Sequence, residues 1–132
     1  DDAAWVEIAK RLDVTTALLP LVDPDFYHLD TALAMLAEDT CLWYPPALSK
    51  DAQELVAALI PNRIEAPEIE SRRGFACNAF CPDGETVLIQ QGNAVTKDRL
   101  ETAGFRVREL NTSEFMKSGG SVFCMKLQHG PD

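Results

Sequence analysis

The sequence predicts an α/β domain in which mixed β-sheets alternate with helices. Apolar residues recur at helical spacing in some segments and form short continuous runs in others, so helices and strands alternate along the chain. A Pro82-Asp83-Gly84 turn lies between two apolar runs, which is typical of an antiparallel hairpin. Hairpins combined with helical crossovers indicate mixed sheets in repeated units rather than a doubly wound parallel sheet.

Helices are predicted where apolar residues recur every three or four positions after a capping residue. Asp2 is the predicted N-cap of the first helix, which places Trp5, Ile8 and Leu12 on one stripe. Ser49 is the predicted N-cap of the second helix. The predicted helices cover residues 3–12, 50–60, 97–103 and 113–117.

Strands are predicted in the short apolar runs that lie between turn residues. Pro45 and Pro46 end one of these strands, because proline cannot donate a hydrogen bond to a neighbouring strand. The acid-rich run at residues 65–70 is interpreted as a solvated loop. The predicted strands cover residues 15–22, 31–36, 41–44, 64–66, 75–81, 86–90, 105–110 and 121–127.

The composition fits one globular domain, or part of one. The 132 residues carry 12 basic and 21 acidic side chains, which gives a formal net charge of −9. An acidic chain lacks the basic face that nucleic-acid binding requires, so no nucleic-acid partner is expected. No apolar run is long enough to cross a membrane, and no signal-peptide pattern is visible. We therefore expect a cytoplasmic protein without a membrane partner.

The sequence contains four cysteines: Cys41, Cys77, Cys81 and Cys124. They could form two disulfides, but the apolar content is sufficient for a core without them, which favours free thiols. Cys77 and Cys81 have a spacing that zinc sites use, with only His28 and His129 available to complete the set. Their predicted position on one strand does not suit a tetrahedral site, so no metal is expected.

His28 and Asp30 are the first candidates for chemistry. In an extended segment, residues two apart face the same side, so a proton carrier and a carboxylate would lie next to each other. Histidine transfers protons near neutral pH, and a carboxylate can hold a planar guanidinium through two hydrogen bonds. The alternative is an ordinary turn with a capping aspartate and a surface histidine.

Cys124 is the candidate nucleophile. It follows Gly119-Gly120, and paired glycines let the backbone and a ligand approach each other closely. A thiol attacks only as a thiolate, and a nearby histidine or a bound cation lowers its pKa. The alternative is a buried core cysteine, which is the most common position for this residue type.

The order and spacing of these two motifs resemble those of the guanidino-group-modifying family. This family includes arginine deiminase, dimethylarginine dimethylaminohydrolase and the amidinotransferases. The intervening Tyr44-Pro-Pro-Ala-Leu and Phe75-Ala-Cys-Asn78 segments are similar to those of its hydrolase branch. The resemblance implies a pentein fold, an α/β propeller of five similar units. Residues 1–132 would form its C-terminal part, about half of the propeller.

The resemblance also implies roles for individual residues. Cys124 would attack the guanidinium carbon and form a covalent thiouronium intermediate. His28 would protonate the leaving amine and then activate water, and Asp30 would hold the guanidinium nitrogens. Glu114 is a possible helper that holds the loop before the glycine pair. No cofactor and no metal would be needed, because the charge of the substrate itself promotes ionisation of the thiol.

The family has a further carboxylate and further substrate-binding residues in its N-terminal half. The resemblance therefore implies that this chain associates with that missing half or with another copy of itself, since unpaired sheet edges would otherwise be exposed. The isolated chain is then expected to be inactive.

The expected substrate is a small cationic guanidino compound, arginine or a methylated arginine. Some dimethylarginine hydrolases carry lysine at the position of Asp30, so the aspartate favours recognition of the arginine-deiminase or arginine-dihydrolase type, or amidino transfer, without excluding a dimethylargininase. Two alternatives stay open. One is an amidinotransferase that uses the same three residues, and the other is an inactive fragment that acts only by association.

Overall fold

The structure is a computed structural model, and it describes residues 2–128, with the side chain of Asp2 excluded. His129, which the zinc alternative considered, lies outside the described residues. The helices are α1 (Asp2–Leu12), α2 (Lys50–Leu59), α3 (Glu68–Gly74), α4 (Ala94–Thr102) and α5 (Ser113–Met116). The strands are β1 (Leu33–Ala37), β2 (Thr40–Trp43), β3 (Asn62–Glu65), β4 (Thr86–Gln90) and β5 (Arg106–Leu110).

The strands form two small sheets, and the first of these is mixed. β1 pairs antiparallel with β2 through a tight turn, and β2 pairs parallel with β3. The parallel pair needs a crossover, which α2 supplies. The side-chain oxygen of Ser49 accepts a hydrogen bond from the Ala52 N–H at 3.2 Å, which confirms the predicted cap.

The second sheet consists of β4 and β5, which pair parallel and are joined by α4. The main core combines residues from both sheets and from α4, and it includes the fully buried Leu42, Val87, Ile89 and Leu100. A smaller cluster packs α2 against β2 through Val56 and Cys41. Mixed α/β sheets with helical crossovers, as predicted, therefore form the frame of the molecule.

The strand predicted at residues 15–22 is not present in the structure. Residues 15–22 all lie in the described part of the chain, yet they form no strand there, and only Leu21 makes an isolated antiparallel bridge, to Leu48. Trp5 and Ile8 of α1 are 48% and 39% exposed, so the predicted apolar stripe is not covered by this structure. Together with this segment, Trp5 lines an apolar cleft of about 580 Å³.

Three other predictions are also wrong. Residues 75–81 form turns with a single bridge between Phe80 and Leu88, not the first strand of a hairpin. Residues 121–127 contain the helical turn Phe123–Met125 instead of a closing strand. The acid-rich run predicted as a loop begins α3, because the buried Glu70 carboxylate accepts hydrogen bonds from the first turn of α4. An apolar or acidic run alone does not reveal such tertiary partners.

The four cysteines are free thiols, as favoured above, and Cys41 and Cys77 are buried. Burial raises the pKa of the Cys41 thiol to about 11, so it stays protonated near neutral pH. None of the helices within residues 2–128 is long and apolar enough to cross a membrane.

Candidate active site

Asp30 lies on a tight helical turn that begins directly after His28, and of the two residues only His28 keeps an extended backbone. The turn covers Leu29–Thr31 and precedes β1. Its geometry is fixed by Thr31, whose N–H and hydroxyl both donate to the His28 carbonyl, at 3.0 and 2.6 Å. The prediction that an extended backbone aligns the two side chains is therefore wrong in its local geometry, although both residues lie at the same end of the molecule as Cys124.

Arg72 anchors the segment that leads into His28. Its guanidinium group contacts the carboxylates of Asp23, Asp25 and Glu68 at 2.5, 2.8 and 2.9 Å. The hydrogen bond from Arg72 holds the pKa of Asp23 below its usual value, because the cation stabilises the carboxylate. This network fixes the position of the chain five residues before the histidine.

Cys124 lies on the helical turn Phe123–Met125, with its side chain exposed. Gly119 and Gly120, which precede Cys124, occupy positions where a side chain would be strained or crowded. A Cβ at Gly120 would lie 2.9 Å from the Cys124 Cβ, and Gly119 has φ +81°. The Tyr27 hydroxyl donates a hydrogen bond to the Gly119 carbonyl and ties this loop to the segment that carries His28.

The thiol of Cys124 contacts the carboxylate of Asp30. The Sγ–Oδ2 distance is 3.2 Å, and the thiol is the donor. This pair joins the two motifs, which are separated by 93 residues of chain, into one site. Cys124 also lines a cleft of about 330 Å³ with Tyr27 and His28. A thiol, an imidazole and a carboxylate are thus brought together.

Asn78 is a site residue that the sequence analysis did not single out. Its side chain is completely buried, and its Nδ2 lies 3.2 Å from the Cys124 Sγ and 3.3 Å from the Asp30 Oδ2. Its Oδ1 accepts hydrogen bonds from the backbone N–H groups of Ser121 and Cys124. The only sequence signal was its place in the Phe75-Ala-Cys-Asn78 segment, because a buried amide has no pattern of its own.

The surroundings of Cys124 favour its neutral thiol form in the absence of a ligand. Partial burial raises the pKa of this thiol above its usual value, and the hydrogen bond to Asp30 raises it further. Hydrogen bonds from Asn78 and from the Ser121 backbone act in the opposite direction. A cation bound between Cys124 and Asp30 would favour the thiolate, because it would neutralise the carboxylate and attract the sulfur charge.

Glu114 is not brought to this group of residues. It lies on α5, and its carboxylate pairs with Lys117 at 2.7 Å on the surface. Within residues 2–128, no group of three or more His, Cys, Asp and Glu side chains has the arrangement of a metal site.

Sequence comparison relates the chain to known enzymes. It is 41% identical over 131 residues to the N(G),N(G)-dimethylarginine dimethylaminohydrolase of Mycobacterium tuberculosis, covering 99% of this chain and 43% of that protein. It is 37% identical over 123 residues to ArgZ of Synechocystis, a bifunctional arginine dihydrolase/ornithine cyclodeaminase, covering 92% of this chain and 17% of that protein. The chain is a homologue of the guanidino-group-modifying enzymes. No family model matches it.

Structural comparison agrees with this relationship. The N-terminal domain of ArgZ, solved with its product bound, superposes with a TM-score of 0.89 at 35% identity, covering 96% of this chain and 46% of that one. The amidinotransferase SxtG of Microseira wollei has a TM-score of 0.72 at 17% identity, which supports the fold alone. The chain spans less than half the length of each of these proteins.

Proposed function

We propose that this chain supplies the nucleophile, the proton carrier and one substrate carboxylate of a hydrolase that acts on the guanidino group of arginine or a methylated arginine. The observation that supports this best is the 3.2 Å contact between the Cys124 Sγ and the Asp30 Oδ2, next to the cleft that His28 and Cys124 share. The homologues named above act on arginine or dimethylarginine, which fits this chemistry.

The reaction has two stages. The Cys124 thiol loses its proton to His28, the thiolate attacks the guanidinium carbon to form a carbon–sulfur bond, and the bond to the leaving nitrogen breaks as His28 passes that proton to the departing amine or ammonia. His28 then takes a proton from water, whose oxygen attacks the same carbon and displaces the thiolate. A solved variant of the ArgZ N-terminal domain holds a covalently bound reaction intermediate, which is consistent with such a stage in a homologue.

Asp30 recognises the substrate and controls the nucleophile. Its carboxylate accepts hydrogen bonds from guanidinium N–H groups, in place of the hydrogen bond that it accepts from the thiol in the free protein. Ligand binding thus removes the interaction that favours the neutral thiol of Cys124. The expectation that no metal or organic cofactor is needed follows from this coupling.

We further propose that the chain is about half of a pentein propeller and acts together with the remaining half or with a second copy. Support comes from the share of the homologues that it covers and from the apolar cleft of about 580 Å³ beside Trp5 and residues 16–20. Apolar side chains on α1 are exposed in this structure, and a packed neighbour would remove them from water.

The proposal is tested by comparing the full gene product with its Cys124→Ser variant. Cys81→Ser is the matched control, because Cys81 is a partly exposed thiol outside the site. Arginine and dimethylarginine are supplied separately, and citrulline, ornithine, ammonia and methylamines are measured. We expect Cys124→Ser to lose all turnover and Cys81→Ser to keep it. Retained turnover in Cys124→Ser would refute this mechanism. Amidino transfer to an added amine would instead identify an amidinotransferase.

A further inference from the structure

We propose that Asn78 is the positioning residue of this site, which orients Asp30 and donates a hydrogen bond to the Cys124 thiolate when the thiolate forms. A role for Asn78 in catalysis rests on the proposed function, whereas its effect on the Cys124 thiol can be tested without a substrate. The side chain of Asn78 has no exposed surface, so its contacts are made within the protein.

Asn78 connects three separate parts of the chain. Its Nδ2 donates to the Asp30 carbonyl at 3.0 Å and faces the carboxylate of the same residue at 3.3 Å. Its backbone carbonyl accepts from the Phe123 N–H at 3.1 Å. Its Oδ1 accepts from the Ser121 N–H at 3.0 Å. One residue therefore fixes the backbone of both motifs relative to each other.

The direction of the amide follows from these partners. Backbone N–H groups of Ser121 and Cys124 must meet the oxygen of the Asn78 side chain, because only the oxygen accepts hydrogen bonds. The NH₂ group is then directed at the Cys124 Sγ and the Asp30 Oδ2. In the opposite orientation, the NH₂ group of Asn78 would face the backbone N–H groups of Ser121 and Cys124, and its oxygen would face the Asp30 carboxylate.

In this orientation, two neighbours of the Cys124 sulfur have opposite effects on its ionisation. Asp30 accepts the thiol proton and stabilises the neutral form, whereas the Nδ2 of Asn78 donates to sulfur and stabilises the anion. When a cation occupies the Asp30 carboxylate, the Asn78 donor is left as the protein group that supports the thiolate. Nothing about this role requires Asn78 to contact the substrate.

The test is the pH profile of Cys124 alkylation by iodoacetamide in the full gene product, followed by mass spectrometry of the Cys124 peptide. Asn78→Asp replaces a donor with a carboxylate of the same shape. We expect the midpoint of the profile to rise, so that alkylation at pH 7.5 falls about tenfold or more, because a like charge disfavours the thiolate.

Asn93→Asp is the matched control. Asn93 is also buried, and its amide donates to the backbone carbonyls of Gly74 and Gln90, away from the cysteine. This variant should lose comparable thermal stability while its Cys124 profile stays unchanged. An Asn78→Asp profile that coincides with that of the unsubstituted protein would overturn the proposal, and so would an equal shift in Asn93→Asp.

A second measurement covers the case in which Asn78→Asp does not fold. In the unsubstituted protein, the Asn78 side-chain amide resonances should shift with pH at the midpoint of Cys124 alkylation, and this shift should disappear in Cys124→Ser. Resonances that do not respond to the titration of Cys124 would contradict the proposal. Neither measurement uses a substrate, so a protein that meets both expectations but hydrolyses no guanidino compound would refute the proposed function alone.

Discussion

Two buried polar side chains, Glu70 and Asn78, accept hydrogen bonds from backbone N–H groups in nearly the same way, but their other contacts differ. The Glu70 carboxylate accepts from Val95 and Thr96 at 2.9 and 2.8 Å and from the Thr96 hydroxyl at 2.6 Å. All of these donors belong to the first turn of α4, so the carboxylate fastens one helix to another. The hydrogen bonds given above for the Glu70 carboxylate all belong to this contact between two helices.

Asn78 has the same kind of backbone contacts on one side of its amide, but its other side meets a thiol and a carboxylate at a cleft. The difference shows that burial and complete hydrogen bonding do not by themselves distinguish a structural polar group from a functional one. What differs is that Asn78 also contacts a thiol that the cleft leaves accessible. The following variants separate the two regions.

Replacing His28 should have the largest effect. His28→Ala removes the proposed proton carrier, and loss of general acid–base catalysis typically costs about 10²–10⁴-fold in turnover. The ring is exposed, so thermal stability should hardly change. Steady-state kinetics and a thermal melt measure the two quantities. Unchanged turnover would remove His28 from the site, and a large loss of stability would make it a structural residue like Glu70.

Asp30→Asn should separate binding from thiol acidity. We expect turnover to fall by about 10²-fold, because the carboxylate that grips the guanidinium is lost. The pKa of Cys124 should fall at the same time, since Asp30 raises it, so alkylation below pH 8 should accelerate. The alkylation profile and the kinetics test this together. Slower alkylation in Asp30→Asn would contradict the assigned direction of the thiol–carboxylate hydrogen bond.

Glu70→Ala should destabilise the fold by about 2 kcal/mol, because two backbone donors and the Thr96 hydroxyl lose their buried acceptor. Glu70→Gln keeps one acceptor oxygen and should lose less. Urea unfolding measures both, and Cys124 alkylation in the folded protein should match the unsubstituted chain. A changed alkylation profile would mean that the two regions are coupled after all.

Gly119→Ala should have the smallest effect, a loss of about 1–2 kcal/mol, because φ +81° is strained for a residue with a side chain. The added Cβ would also lie 2.6 Å from the Tyr27 hydroxyl and disturb its hydrogen bond to this loop. Gly84→Ala is the control, since Gly84 has φ +74° and open space around it. Equal effects on Cys124 alkylation in the two variants would exclude a role for the contact with Tyr27.

Local signals in the sequence were sufficient for much of the frame. The Ser49 cap, the crossover helix α2 and the β2 strand follow from capping and apolar runs, and the structure confirms them. The apolar runs at 15–22 and 121–127 predict strands that the structure does not form, because an apolar run bordered by turns has the same pattern whether or not a neighbouring strand exists to pair with it. α3 was missed because its acidic residue is buried by partners 25 positions away.

The site was predicted unevenly for a similar reason. His28, Asp30 and Cys124 carry reactive groups, and their order resembles a family, so the sequence pointed to them. Asn78 carries an unreactive amide whose importance comes only from the fold, which brings it within 3.3 Å of two of them. Glu114 has a reactive group and the right neighbourhood in sequence, but its side chain pairs with Lys117 on the surface.

The proposed mechanism requires Cys124 to form a covalent bond to the guanidinium carbon of the substrate. It is tested most directly by acid quenching of the full gene product during turnover of arginine or dimethylarginine, followed by mass spectrometry of its cysteine peptides. We predict an adduct on the Cys124 peptide that accumulates within a turnover and is absent in Cys124→Ser. Turnover that continues without any adduct on Cys124, or with the adduct on Cys81, would contradict the account.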